Sequence, residues 1–334
     1  MSLTTDMVTP ITAQSSKPTA HGGVDVSVLV PAKDEAENLP LFMEQAAIAF
    51  RTDPKTKYEV VVVDDGSVDD TAPILRDLEK RYSFLRVATH RSQRGIADAL
   101  RTGYLRARGD ILVFYPADLQ FKPEDIPRLA SPILADEADM VTGYKQGKYD
   151  KAFVSGIYNR LSRTLFHVPV RDLNSVKAYR REIMDDLPIR PDWHRYMIVL
   201  AAAQGYTVSE IPIALYPRHA GKSKFGIGRI PVGVLDMLAV WFELRFGRKP
   251  LLLFGMLGAA LFAIGTLAGL GALGTLLIAG KGIRAVWTLI QTCLILGSTF
   301  FVGGLLGEMI AVQRAELREL RRRLDEQATR QGGS

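Results

Sequence analysis

One cysteine in 334 residues excludes an intramolecular disulfide and a cysteine-ligated metal cluster. That residue, Cys293, lies in an apolar run, where a small packed side chain is expected. The N-terminal stretch MSLTTDMVTPITAQSSKPTAHGG lacks the apolar core of a secretory signal, so a flexible leader over residues 1–23 is expected in its place. No internal repeat is visible. Charge is missing altogether from two stretches, Leu251–Gly280 and Ala285–Gly307. Each exceeds the ~20 apolar residues that cross a bilayer as a helix. Soluble helices seldom run so far without a charged face.

What is present begins with charge. The net charge is +6 and the residues are 47% hydrophobic, which favours an anionic partner and allows a large core. Arg245, Arg248 and Lys249 precede the first apolar stretch, and Arg314, Arg318, Arg321, Arg322 and Arg323 follow the second. The connection KGIR carries only Lys281 and Arg284. The positive-inside rule then puts the connection outside and both termini in the cytoplasm. A two-helix hairpin over 250–313 and a cytoplasmic helical tail over 314–334 are expected. Before the hairpin, apolar Val234, Leu238, Trp241 and Phe242 recur at helical spacing, predicting an amphipathic interfacial helix over 229–249.

Residues 24–228 alternate strand and helix patterns. VDVSVLV, YEVVVVDD, LRVATH, DILVFY and ADMVTGY are predicted strands, and several are apolar without interruption, as strands buried on both faces are. Helical stretches separate them, predicting an α/β domain with a mostly parallel sheet. Ligands of such sheets gather beyond the carboxyl ends of the strands. There the chain has PAKDEAENL after the first strand, DDGSVDDT after the second and PADLQ after the fourth. Asp69, Asp70 and Thr71 suit ordinary helix capping. Carboxylates brought to one rim repel, so a cation or a hydroxyl-rich ligand is expected beside them.

The segments VPAKDEAENL, VVVDDGSVDDT, RGIADALRTGY, GDILVFYPADLQFKPEDIPRL and PRHAGKSKFG resemble, in order, the family 2 glycosyltransferases. Within that family the chain is similar to the polyprenyl-phosphate group, which includes dolichol-phosphate mannose synthase and undecaprenyl-phosphate glucosyltransferases. The resemblance covers about Val24 to Arg229. It implies a GT-A type nucleotide-binding domain that moves a sugar from a nucleotide diphosphate onto a polyprenyl (undecaprenyl or dolichyl) phosphate, with inversion.

By this resemblance Pro31, Ala32, Asp34, Glu35, Asp64, Asp65 and Arg94 serve the donor nucleotide. Asp34 stands where the family more often has Asn. Asp118 and Gln120 match the metal-binding part of a DxDxQ-like signature, whose first Asp is here Pro116. Mg²⁺ or Mn²⁺ is the implied ion, and one carboxylate with a Gln carbonyl suffices for a metal that also takes water and phosphate oxygens. Arg218 and Lys224, on the HAGKSKFG loop, join Asp118 as catalytic residues. Lys145, Lys151, Ser155, Asp172, His194 and Arg195 fall on the side of the acceptor phosphate. A lipid phosphate is already anionic, so His194 is not needed as a base.

Two other readings compete. Processive polysaccharide synthases carry a QxxRW signature and more spans, whereas this chain has WHRY at Trp193–Tyr196 and two apolar stretches. A catalytically silent nucleotide-sugar binder is motivated by Pro116. Nucleic acid is disfavoured, because the basic residues cluster beside the apolar stretches and the rim is acidic. The expected partners are a nucleotide sugar, with UDP and GDP both open, a polyprenyl phosphate and the inner membrane. A homo-oligomer is left open.

Overall fold

The computed structural model describes residues 23–146, 165–166, 170–173, 175–187, 193–220, 230–280 and 284–332. The chain divides into two compact units, Met1–Ile227 and Gly228–Ser334.

The first unit is built on seven strands: β1 (Val26–Ala32), β2 (Tyr58–Asp64), β3 (Leu85–Thr89), β4 (Ile111–Phe114), β5 (Met140–Gln146), β6 (Lys177–Arg180) and β7 (Val208–Ala214). Their order in the sheet is β3-β2-β1-β4-β6-β5-β7. Strands β1 to β4 pair in parallel, as does β5 with β7, while β6 runs antiparallel between β4 and β5. The mostly parallel sheet expected from the alternating pattern is therefore present, with one reversed strand that the pattern did not indicate.

Every residue of β2 is buried, because helices cover both faces. On one face α1 (Leu39–Arg51), α2 (Thr71–Arg81) and α4 (Asp125–Leu134) pack Leu39, Phe42, Met43, Leu75, Ile126 and Leu129 onto Val28, Val30, Val60 and Val62. Against the other face lies α3 (Ile96–Arg106), whose Gly103 brings the helix close to Leu29 and Val63. Alternate residues of one strand thus serve opposite cores, which is why these strands read as unbroken apolar runs. Short helices α5 (Arg181–Asp186) and α6 (Met197–Ala203) follow among the described residues of the unit.

At the amino-terminal edge, Glu59 is 1% exposed and fully engaged. It accepts from the Ser27 hydroxyl at 2.6 Å, from the Arg108 backbone N–H at 2.6 Å and from Arg108 Nε at 3.0 Å. This bolts the start of β4 to β1 and β2. Because β2 and β4 flank β1 and their connections leave in opposite directions, the order reverses at β1, and a crevice opens beyond the carboxyl ends of β1 and β4.

The second unit holds α7 (Ile230–Phe246), α8 (Pro250–Ala279) and α9 (Arg284–Gly332). In α7 the residues that turn inward are Met237 and Val240, while Val234, Leu235 and Leu238 of the expected apolar stripe stay exposed. Trp241 and Phe242 are half-buried. Helices α8 and α9 contain apolar segments of 29 and 32 residues, Pro250–Ile278 and Val286–Leu317, long enough to cross a membrane. Only 17% and 22% of their most apolar windows are buried, unlike the core helices of a soluble protein.

The two helices meet through glycine. A Cβ on Gly258 would lie 2.6 Å from the Gly297 carbonyl oxygen, and one on Gly297 would lie 2.9 Å from that of Gly258. The backbones touch there, as in small-residue packing between membrane helices. Glu308 Oε2 accepts the Leu251 N–H at 3.2 Å, satisfying one of the orphan donors that open α8. Cys293 is half-buried and faces Gly265 across the pair. Beyond the apolar segment α9 continues as helix through the charged tail.

Candidate active site

Three loops meet at the crevice. The β1–α1 loop (33–38) and the β2–α2 loop (65–70) are laced together. Asp34 N donates to Ser67 Oγ at 2.9 Å, Val68 N to Asp34 Oδ1 at 2.9 Å, Glu35 N to Thr71 Oγ1 at 2.9 Å, and Ala36 N to Asp69 Oδ2 at 3.3 Å. Lys33 Nζ reaches the Gly66 carbonyl. Asp34 adopts φ +54°, a left-handed backbone that Asn and Asp tolerate best, so Asp can stand at a position usually taken by Asn. Asp69 caps α2 by accepting the Thr71 N–H at 3.0 Å. Burial opposes its ionisation, yet the hydrogen bonds from Thr71 and Ala36 outweigh burial and hold its carboxyl below the usual value.

Asp64 and Asp65 are buried at the end of β2. Asp64 Oδ1 accepts Ser67 N at 2.9 Å. Asp65 is tied on all sides: Oδ1 meets His90 Nδ1 at 2.7 Å and Arg94 N at 2.8 Å, and Oδ2 accepts Gly95 N at 2.8 Å. His90 completes the chain through Nε2 to the Thr102 hydroxyl at 2.8 Å. Asp65 therefore fixes the β3–α3 loop, and Arg94 contributes its backbone there while its side chain is exposed. Gly66 permits this closeness. Its φ is +68°, and a Cβ would stand 2.7 Å from the Ser92 carbonyl carbon.

The third loop follows β4. Asp118 is 8% exposed. Burial raises its carboxyl above the usual range, and Arg218 and the Gln120 N–H offset only part of that. Leu119, beside it, sits at φ +56°, a strained conformation of the kind that gathers at working sites.

The segment leaving β7 crosses this loop. Tyr216 N donates to the Gln120 carbonyl at 2.9 Å, Lys122 Nζ lies 4.4 Å over the Tyr216 ring, and Asn38 Nδ2 reaches the Ala220 carbonyl at 3.5 Å. Arg218 Nη2 is 2.8 Å from Asp118 Oδ2 and 3.5 Å from Gln120 Oε1. The two side chains expected to bind a metal thus aim their oxygens at one cation.

This corrects the expectation of mutually repelling carboxylates. Asp34, Glu35, Asp64, Asp65, Asp69 and Asp118 each have donors of their own, and among the described residues no group of three His, Cys, Asp or Glu is gathered to hold a metal. Pro116 stands where a second carboxylate would be. Asp118 and Gln120 nevertheless suit a hard cation: both offer oxygen and both already converge on a positive group.

On the other side of β4, Lys145 Nζ pairs with Asp172 Oδ2 at 3.1 Å, so this pair brings no net charge. His194 and Arg195 lie on a 3₁₀ turn, Trp193–Tyr196. Burial, with Lys177 and Arg195 nearby, drives the His194 imidazole down to about 3, leaving it neutral at pH 7. Lys151, Ser155, Lys222, Ser223 and Lys224 lie outside the described residues. Sequence reasoning missed His90, Asn38 and Lys177. His90 directly follows the third apolar run, so the strand-end rule could have found it; Lys177 belongs to the unforeseen reversed strand.

Comparison with known proteins gives the same picture. Residues 27–187 match the family model described as Glycosyl transferase family 2. The chain is 29% identical over 252 residues to a dodecaprenyl-phosphate galacturonate synthase of Rhizobium johnstonii, covering 73% of this chain and 74% of that one. It is 28% identical over 304 residues to an undecaprenyl-phosphate 4-deoxy-4-formamido-L-arabinose transferase of Pseudomonas fluorescens, covering 88% and 86%. The fold resembles glucosyl-3-phosphoglycerate synthase of Mycobacterium tuberculosis crystallised with Mn²⁺, UDP-glucose and phosphoglyceric acid. The TM-score is 0.54 at 19% identity, over 67% of this chain and 81% of that one. The same enzyme with Mg²⁺ and UDP gives 0.53. The first unit accordingly has a GT-A-like fold, within which residues 27–187 match the family 2 glycosyl transferase model.

Proposed function

We propose that the protein is an inverting glycosyltransferase that moves a sugar from a nucleotide diphosphate sugar onto a polyprenyl phosphate. The observation that carries this reading is the crevice itself. Asp118, Gln120 and Arg218 converge at the carboxyl end of β4, next to the interlocked loops of β1 and β2. The relatives named for dodecaprenyl and undecaprenyl phosphate support the acceptor, and the neighbour bound to UDP supports the donor nucleotide.

Pro31, Ala32, Asp34, Glu35, Asp64, Asp65 and Arg94 shape the nucleotide pocket, and Asp65 acts through the β3–α3 loop it holds. Asp118 and Gln120 would hold Mg²⁺ or Mn²⁺. Such an ion, when bound, neutralises the charge that develops on the departing diphosphate. Arg218 supplies a second positive group at the same place, and the resemblance gives Lys224 the same role.

Lys145, Asp172 and Arg195 shape the acceptor side, together with Lys151 and Ser155. A phosphate oxygen of the lipid attacks the anomeric carbon; that C–O bond forms as the bond to the nucleotide diphosphate breaks, and the diphosphate leaves with the electron pair. No proton moves, so no base is required, and a neutral buried His194 suits a positioning role.

The apolar helices α8 and α9 anchor the protein in the membrane, and the distribution of basic residues supports a cytoplasmic catalytic domain with both termini on the same face. The test is incubation of the full chain with radiolabelled UDP- and GDP-sugars and polyprenyl phosphate, with and without EDTA. A labelled lipid of inverted configuration, lost with EDTA, is expected. Donor binding without any lipid product would mark a silent binder and overturn the proposal.

A further inference from the structure

His90 is a buried imidazole, 7% exposed, with both ring nitrogens engaged, and the transfer reaction gives it no step. It directly follows β3, and its N–H donates to the Asp64 carbonyl at 2.8 Å, extending the pairing of β3 with β2. The ring is thereby delivered to Asp65, whose own N–H donates to the Ala32 carbonyl of β1 at 2.8 Å. The sheet thus fixes the backbone of both residues before either side chain is placed.

A carboxylate offers about four acceptor positions. On Asp65, Oδ1 takes His90 Nδ1 at 2.7 Å and Arg94 N at 2.8 Å, and Oδ2 takes Gly95 N at 2.8 Å. Backbone N–H groups bond the ionised carboxylate, so Nδ1 is the protonated nitrogen and donates to Oδ1. One position, on Oδ2, remains for a single N–H or O–H of a ligand. Of the donors holding Asp65, only the imidazole comes from a strand end; Arg94 and Gly95 belong to the β3–α3 loop. His90 is therefore what ties this carboxylate to the sheet.

The same ring reaches along α3. Gly95 is the N-cap of that helix and has no side chain to cap it, so Asp65 accepts one of its orphan donors. His90 Nε2 lies 2.8 Å from the Thr102 hydroxyl, about two turns further on. A hydroxyl can donate to a bare Nε2 or accept from a protonated one, so the contact holds in either state of the ring. Asp65 and His90 together grip α3 at its start and within its body, which fixes the direction of the helix as well as its position. Arg94, with its side chain exposed, is carried on the loop so held.

We infer that His90 is a positioning residue for donor binding. Through Asp65 and Thr102 it keeps the open Oδ2 acceptor and the β3–α3 loop in the arrangement that receives the nucleotide. This inference rests on the transfer reading and adds to it a residue that touches no substrate.

The test is calorimetric binding of UDP and of GDP to the full chain in nanodiscs, with the melting temperature of each variant recorded. Asn places its amide N–H where Nδ1 stands, and Gln places its own where Nε2 stands. Both substitutions remove the ring and its packing. For the nucleotide that the native protein binds better, His90→Gln should weaken binding about 10- to 100-fold. His90→Asn should stay within about 3-fold of native, although the two variants melt alike, and Thr102→Val should weaken binding several-fold. A purely structural role would instead make affinity follow melting temperature. Equal affinities of His90→Asn and His90→Gln, whether native-like or equally weakened, overturn the inference and leave the transfer reading intact. Native protein that binds neither nucleotide overturns both readings. Should His90→Gln not fold, native-like binding by His90→Asn with weaker binding by Thr102→Val supports the inference, and any other pattern overturns it.

Discussion

Asp118 and Arg218 hold each other at 2.8 Å at the end of β4, and the chemistry of the site follows from that pair. A guanidinium that already spans Asp118 and Gln120 would compete with a metal for the same oxygens. Arg218→Ala should therefore tighten Mn²⁺ binding by the donor-free protein, by roughly 3- to 10-fold, while lowering transfer. Electron paramagnetic resonance titration of Mn²⁺ reads the first effect; unchanged or weaker Mn²⁺ binding would show that Arg218 does not compete. Pro116→Asp should raise metal affinity and leave transfer in place. Lys177 gives a prediction about stability. Its amine falls from an ordinary 10.5 when unfolded to about 8 when folded, chiefly through burial. A depressed value favours the fold above pH 10.5 and loses that support as pH falls through 8. At neutral pH the buried charge thus costs on the order of 3 kcal/mol. Lys177→Met should melt higher than the native protein at pH 7, and the gap should shrink between pH 8 and pH 10. A gap independent of pH would show that Lys177 is not held charged against its burial.

At the scale of elements, the sheet edge opposite the site is secured by Glu59. Removing its carboxylate strands the Ser27 hydroxyl and the Arg108 groups, and Glu59→Ala should destabilise the domain by about 3–5 kcal/mol, measured by urea unfolding of the detergent-solubilised chain. Strands β1, β2 and β4 could be read from the sequence because they are buried apolar runs, and β3 and β5, shorter in apolar residues, because helical stretches separate them from their neighbours. β6 could not: it has four residues, KAYR, with Lys177 at its head, and its place depends on pairing with two distant strands. β7 carries Pro212 and lies at the sheet edge, where a missing N–H is tolerated, so its sequence signal is weak. The candidate site divides in the same way. Asp34, Glu35, Asp64, Asp65, Asp118 and Gln120 each follow an apolar run and were visible as strand-end residues. The local interlocking that occupies their carboxylates was not, because hydrogen bonds such as Val68 N to Asp34 depend on two loops meeting in space. Pairing of Arg218 with Asp118 joins residues a hundred positions apart and has no local signature.

For the whole molecule, charge distribution and the apolar helices determine where the chemistry is carried out. Because the chain has one native cysteine, Cys293, topology can be mapped cleanly. In a Cys293→Ser background, Gly282→Cys should react with an impermeant maleimide added outside intact cells, and Ser334→Cys should react only after lysis. Reversed labelling would put the catalytic domain on the other face. Close backbone contact between Gly258 and Gly297 makes Gly258→Leu expected to separate α8 from α9, seen as loss of a crosslink between engineered cysteines on the two helices. The central claim, sugar transfer to a polyprenyl phosphate at the Asp118 crevice, is tested most directly by one measurement. Native and Asp118→Ala proteins, both shown to be folded, are given the preferred radiolabelled nucleotide sugar, Mn²⁺ and vesicles containing polyprenyl phosphate. Label extracted into organic solvent is then counted. The account predicts lipid-linked label with the native protein and a loss of at least about 100-fold with Asp118→Ala. Equal label from both proteins, or none from the native one with any donor, would contradict it.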